Sequence, residues 1–270
     1  MYAPHILLLC AAPGDEIVGA SAAIVRAREQ GSRVSVLMMT HGLPPAAPWS
    51  LWQKHRQPKR LEKIAAASQR IAQMLGFQYA GWSMSQGLDS LWQRLPQVAS
   101  QIARTIEALQ PQCLWVPAFM GLSPDQDAIN IAASRLRGLI DIYEYVARPE
   151  QLDTRRFHVH FPSKNGMELA LNPSISEATK RRRAIEILQA AGTQFVFAET
   201  DRELFRPLPV HDYARPPFGY IAGPTTNPTR QVKARAAALL KRVRPLFIAF
   251  LRKPPITATS APTSQPSESR

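Results

Sequence analysis

"HILLLCAAPGDEIVGASAAIVRAREQGSRVSVLMMT", residues 5–40, decides the fold. It opens with a continuous apolar run, "HILLLCA" (5–11), of strand length. "DEIVGASAAIVRAREQG" (15–31) then carries Ile17, Ala20, Ile24 and Ala27 at helical spacing and ends on Gly31, a natural stop for a helix. "RVSVLMMT" (33–40) is a second apolar run. Strand, helix and strand joined by short turns predict a right-handed βαβ unit in a parallel sheet. The turn between the first strand and the helix holds Asp15 and Glu16 beside Pro13 and Gly14, at the end of the sheet where α/β enzymes place their chemistry.

The rest of the chain continues the alternation. Helices are predicted over 59–77, 91–111 (Pro96 near its start), 127–140 and 176–192, and strands over 78–82, 113–118, 142–147 and 156–162. Residues 41–58, rich in Pro and Trp, and 119–127 read as loops, and 206–228 as a Pro-rich irregular segment. The expected fold class is α/β, a Rossmann-like three-layer arrangement on a mostly parallel sheet. Residues 1–228 form its domain, 229–253 a basic amphipathic helical extension, and 254–270 a disordered tail.

The chain has 270 residues, 45% hydrophobic and 20% charged, as in ordinary globular proteins. No stretch approaches the roughly 20 apolar residues of a spanning helix, and the first residues lack the basic start and cleavage site of a signal peptide. Cys10 and Cys113 sit in apolar runs and read as buried thiols. A cytoplasmic address is expected, with a peripheral position at the inner face of the membrane as the alternative. The net charge is +13, but eight basic and no acidic residues lie between Arg230 and Lys253, leaving +5 for the remainder. With Val232, Ala236, Leu239, Leu240 and Val243 toward one side and "LFIAFL" beyond Pro245, that segment suits either an anionic membrane surface or docking on the protein's own domain. Nucleic-acid binding is not expected, because no recognised module accompanies the charge.

Several short motifs, in order, resemble the PIG-L/LmbE-like family of zinc-dependent N-deacetylases. "CAAPGDEIVGA" (10–20) stands where the family has A-P-H-P-D-D-E and a Gly-containing helix start. "MMTHG" (38–42) is similar to its strand-end T-D-G, "KRLEKIAAASQRIAQMLGF" (59–77) to its R-x-x-E helix, "SPDQ" (123–126) to its H-P-D-H, and "RPLPVHDYARPPFG" (206–219) to a closing Pro-rich segment. The likeness spans roughly residues 4–220. It implies a Rossmann-like fold and removal of acetyl groups from N-acetylated amino sugars carried on lipids, inositols or other groups.

The departures fall on the chemistry the resemblance implies. Of the family's three zinc ligands only Asp15 is retained. The first His position is Ala12, the last is Gln126, and the general-base position is Gly14; the first His of H-P-D-H is Ser123. A catalytic zinc needs three protein ligands and an open position for water, so no cofactor is expected unless zinc is held by a rebuilt site. Candidates for rebuilding it are His41, after the second strand, and His211, in the Pro-rich segment; His158 and His160 alternate on a predicted strand, and His5 and His55 read as structural or exposed. Further ligand-binding candidates are Glu16, Ser123, Asp125, Gln126 and Tyr213, with Trp49, Trp52, Trp82 and Phe218 able to stack on a sugar ring or simply to pack the loops. Asp125 reads as the cap of the following helix, and Glu16 as a charge favouring the helix N-terminus. The leading expectation is a catalytically impaired homologue that binds a glycan or glycolipid or regulates a partner enzyme. The alternatives are an active deacetylase with a rebuilt metal site and a membrane-associated scaffold in polysaccharide synthesis.

Overall fold

The computed structural model describes residues 1–43, 51–83, 87, 90–147, 150–151, 157–193 and 200–215. The expected extension at 229–253 and tail at 254–270 lie outside them, as do Trp49 and Phe218 and the side chains of Trp52, His55 and His158. The elements are β1 (His5–Cys10), α1 (Asp15–Glu29), β2 (Arg33–Met38), α2 (Leu51–Leu75), β3 (Gln78–Trp82), α3 (Leu95–Leu109), β4 (Cys113–Pro117), α4 (Pro124–Ala133), β5 (Asp141–Tyr145), β6 (Glu150–Gln151), β7 (Phe157–His158), β8 (Leu169–Leu171), α5 (Ile175–Ala190) and β9 (Glu203–Pro207).

The main sheet has the order β3-β2-β1-β4-β5-β9-β8; the first five strands are parallel and the last two antiparallel. All six residues of β1 are buried, as a central parallel strand covered on both faces requires. The α/β class and the mostly parallel sheet therefore stand as read. α1, α2 and α5 pack together in one layer and α3 and α4 in the other. The order reverses between β1 and β4, so the turns after these two strands flank a topological switch point, where open α/β sheets form a crevice.

Two buried ion pairs tie the antiparallel edge to the parallel half. Glu203 of β9 reaches into α1, accepting from the N–H groups of Ala22 (2.8 Å) and Ala23 (2.9 Å) and from Ser21 Oγ. Arg181 of α5 donates to Glu203 and to Ser21 Oγ. On the other side, Arg206 of β9 pairs with Glu144 of β5 at 2.6 Å, and its guanidinium lies 4.0 Å from the Phe161 ring centroid. Gly19 is where α1 meets the end of β5: a Cβ there would lie 2.5 Å from the Tyr145 ring and 2.7 Å from the Val146 carbonyl oxygen.

Four local expectations are corrected. The loop expected over 41–58 ends by residue 50, because α2 begins at Leu51 and carries Pro58 inside it. A proline there removes one ladder hydrogen bond, which the long apolar face beyond it offsets: Ile64, Ala67, Ile71, Ala72 and Leu75 are all buried. The helix expected over 127–140 starts at Pro124, a favoured first-turn residue, and ends at Ala133, with a short 3-10 turn after it. The strand expected over 156–162 is only Phe157–His158, paired with Glu150–Gln151. The antiparallel pair β8–β9 was not expected, and its second member takes the start of the segment read as irregular.

Candidate functional site

The turn after β1 and the N-terminus of α4 meet through one hydrogen bond. Asp15 is the first residue of α1, and Gly14 before it has φ 111°, a left-handed conformation that suits glycine and strains a residue with a side chain. Asp15 Oδ2 accepts from the N–H groups of Ala11 (2.8 Å) and Ala12 (3.1 Å), so the carboxylate folds back over its own turn. Its other oxygen, Oδ1, accepts from Gln126 Nε2 at 2.9 Å. A carboxylate only accepts, so the amide of Gln126 presents its NH2 to Asp15.

This donor set does not fit zinc. Ala12 and Gly14 offer no side-chain donor, and Gln126 turns its hydrogen-bearing nitrogen toward the Asp15 carboxylate. Among the described residues, no group of three or more His, Cys, Asp or Glu is arranged to hold a metal ion.

Glu16 is fully buried. Its Oε2 accepts from Gly14 N–H at 2.9 Å, and its Oε1 has no partner. Burial pushes its carboxyl up to about 8, so at neutral pH it is largely protonated. It therefore does not supply the helix N-terminus with the negative charge that its position in the sequence suggests. Asp127 is similar. Its Oδ1 accepts from Met120 and Gly121 N–H, its Oδ2 is unpartnered, and burial raises it to about 7. Asp125 does not cap its own helix, whose N-cap is Ser123, a residue whose side chain makes no capping bond. Instead Asp125 Oδ1 accepts from Leu91 N–H at 2.9 Å, fastening the 3-10 turn at Leu91–Arg94 that precedes α3.

His41 is buried, and its Nδ1 accepts from Leu43 N–H at 3.1 Å; burial lowers its pKa. That lone pair holds a turn. Trp82 donates from Nε1 to the Thr40 carbonyl and stacks on Tyr79 at 5.5 Å, so it packs the structure. His5 bonds Ser35 Oγ through Nε2 and meets Arg33 and the Leu109 carbonyl through Nδ1, a structural role as read. Cys10 and Cys113 are both free and buried, as read; burial pushes Cys113 up to about 12. His160 is half-buried.

His211 and Tyr213 converge on a second centre built around two residues the sequence reading did not select, Glu144 and Asn130. Glu144 is fully buried on β5. Its Oε1 accepts from Arg206 Nε, and its Oε2 from His211 Nε2 (2.8 Å) and Asn130 Nδ2 (3.1 Å). Asn130 also donates to the Pro117 carbonyl and accepts from Tyr213 OH at 2.9 Å. The rings of His211, Tyr213 and Phe119 lie 4.8–5.6 Å apart, centroid to centroid, and burial raises Tyr213 to about 12. Gln126 and Asn130 are four residues apart on α4, one face and about 6 Å of helix. The Asp15 turn and the Glu144–His211 pair are thus neighbouring stations on that face. A signal for this second centre existed: Glu144 is the acidic residue inside the strand "IYEYVA", and a buried strand tolerates one only with partners.

No family model matches the sequence, and no curated protein matches it. Solved structures do. The A40926 pseudoaglycone deacetylase Dbv21 superposes with a TM-score of 0.51 at 16% identity, over 76% of this chain and 96% of its own. A triple mutant of the deacetylase Orf2 of the teicoplanin biosynthetic pathway gives 0.53 at 15%, over 75% and 97%. A deacetylase–teicoplanin complex gives 0.53 at 14%, over 75% and 97%. The fold is shared with solved deacetylases. The likeness covers nearly the whole of those chains, and at these identities it speaks for architecture.

Proposed function

We propose that this chain is a PIG-L/LmbE-like protein that has lost zinc-dependent N-deacetylation and keeps the crevice as a binding site for a glycan or glycolipid carrying an amino sugar. The shared fold, the ordered motifs and the glycan chemistry that the resemblance implies support the family and ligand class. One observation carries the loss of activity: the Gln126 Nε2 to Asp15 Oδ1 bond at 2.9 Å. A neutral donor here takes the place of a cation on the carboxylate. Without a Lewis acid to polarise the acyl oxygen and lower the pKa of a bound water, and with glycine at the base position, amide hydrolysis lacks both its nucleophile and its oxyanion stabilisation.

Zinc stoichiometry is the test. Purified protein, equilibrated with zinc and desalted, is expected to retain none, whereas the variant Ala12→His, Gln126→His, which restores a three-ligand set with Asp15, gains one zinc per chain. Tight zinc in the unaltered protein, lost in Asp15→Ala, would overturn the proposal.

A further inference from the structure

The Glu144–His211 pair has the form of a general base with its support already in place. We propose that His211, held by Glu144, is a catalytic base for metal-independent hydrolysis of an O-acetyl ester on a sugar. This rests on the reading that the neighbouring Asp15 turn holds no zinc.

Three features carry it. First, the tautomer is set by the partner. Glu144 lies between the Arg206 guanidinium and the Asn130 amide, both of which donate to it, so it receives a proton from His211 Nε2 and leaves the Nδ1 lone pair free. Second, that lone pair is available. Among the described residues Nδ1 bonds to nothing, and it is not among the buried unpartnered atoms; the imidazole side chain is 10% exposed and opens to solvent there. Third, ring packing adds to the single hydrogen bond in orienting the imidazole, which stands 5.4 Å from the Phe119 ring and 5.6 Å from the Tyr213 ring. Tyr213 is in turn anchored to Asn130, which also binds Glu144. A histidine wanted only for structure would have no need of a free nitrogen on its wet side.

The ester follows from what the site lacks. An amide needs strong polarisation of its carbonyl and protonation of a poor leaving amine, which is work for a metal. An acetyl ester is more electrophilic and leaves as an alkoxide, so a positioned base on water goes much of the way. In the step proposed, Nδ1 takes a proton from a water whose oxygen bonds to the ester carbonyl carbon. The carbon–oxygen bond to the sugar then breaks, and the proton on Nδ1 passes to the departing sugar oxygen. One water is consumed, acetic acid and a sugar hydroxyl are formed, and nothing is oxidised or reduced. The half-buried Tyr213 ring beside the base, itself packed on buried Phe119, gives a sugar ring apolar surface to lie against.

The experiment uses the full chain, treated with EDTA and desalted, with glucose pentaacetate as probe and acetate release as readout. Release is expected to persist without metal. His211→Gln, which keeps a donor for Glu144 but has no base, is expected to lower kcat about a hundredfold or more with KM little changed. The cavity variant His211→Gly is expected to regain activity when imidazole is added, beyond the imidazole background. For Glu144, a positioning residue, Glu144→Gln is expected to lower kcat and to move the acid limb of its pH profile downward, a shift that a smaller folded fraction would not produce. No release above buffer, release unchanged in His211→Gln, or release abolished by EDTA would each overturn the assignment. Zinc stoichiometry on the same preparation separates the cases: an inactive, zinc-free protein defeats this inference alone, whereas a zinc-loaded one defeats the proposed function as well.

Discussion

Replacing Glu16 by Gln should change how the fold responds to pH. The carboxyl is fully buried and pushed up to about 8, against an ordinary value of 4.5 in the unfolded chain. Between these values the native state keeps a proton that the unfolded state has released. Stability is therefore whole below the lower value and falls as pH rises toward the upper one. The shift sets a ceiling of about 5 kcal/mol, and the loss cannot exceed about 1.4 kcal/mol per pH unit. Gln keeps an acceptor for Gly14 N–H and has nothing to titrate. Urea unfolding of both proteins at pH 5.5, 6.5 and 7.5 isolates the effect, since every other group, Asp127 and His41 included, cancels in the difference. Across that range the variant should gain up to about 2.7 kcal/mol on the parent, or about 1 M in urea midpoint for an m-value near 3 kcal/mol/M. A gap that stays constant within about 0.5 kcal/mol would refute the reasoning, because Glu16 would then titrate alike folded and unfolded.

Two further outcomes follow from packing and charge. Gly19→Ala drives a methyl group into the Tyr145 ring and the Val146 carbonyl, and should lower stability by about 1–3 kcal/mol in denaturant unfolding, with Gly19→Val worse. Arg181→Met strips the charged partner from buried Glu203 and should cost about 3–5 kcal/mol, read as a melting point lower by about 6–20 °C. In the double variant Arg181→Met, Glu203→Met most of that loss should disappear, because no buried charge is left unpaired.

The parallel half of the fold was legible from its centre, because β1 and β4 are fully buried and read as unbroken apolar runs: "HILLLC" and "CLWVP" allow little else. The antiparallel edge was not legible. β8 is three residues long, with two exposed, and β9 sets two apolar residues between two buried charges, so neither shows the period-two pattern of a strand. α2 was missed at its start because Pro58 is a breaker by local rule and is overruled by burial further along. At the site, Ala12, Gly14 and Gln126 were visible in the sequence as side chains that offer no carboxylate, thiolate or imidazole. What could not be seen was where their neighbours turn: Asp125 to another segment, His41 onto its own turn, Glu16 into the protein. The Glu144, Asn130, Arg206 and His211 assembly joins residues up to 81 apart in sequence, and only the fold brings it together.

The carboxylate of Glu203 inside the first helix has a consequence for biosynthesis. A nascent chain emerging from the ribosome makes its first strand, helix and strand long before residue 203 exists. Until then the Ser21 hydroxyl and the Ala22 and Ala23 amides lack the carboxylate that accepts from them in the finished fold, and water or the carbonyls of the preceding helical turn take its place. The buried ion pair that locks the first helix onto the sheet therefore forms only once the last strand has been made.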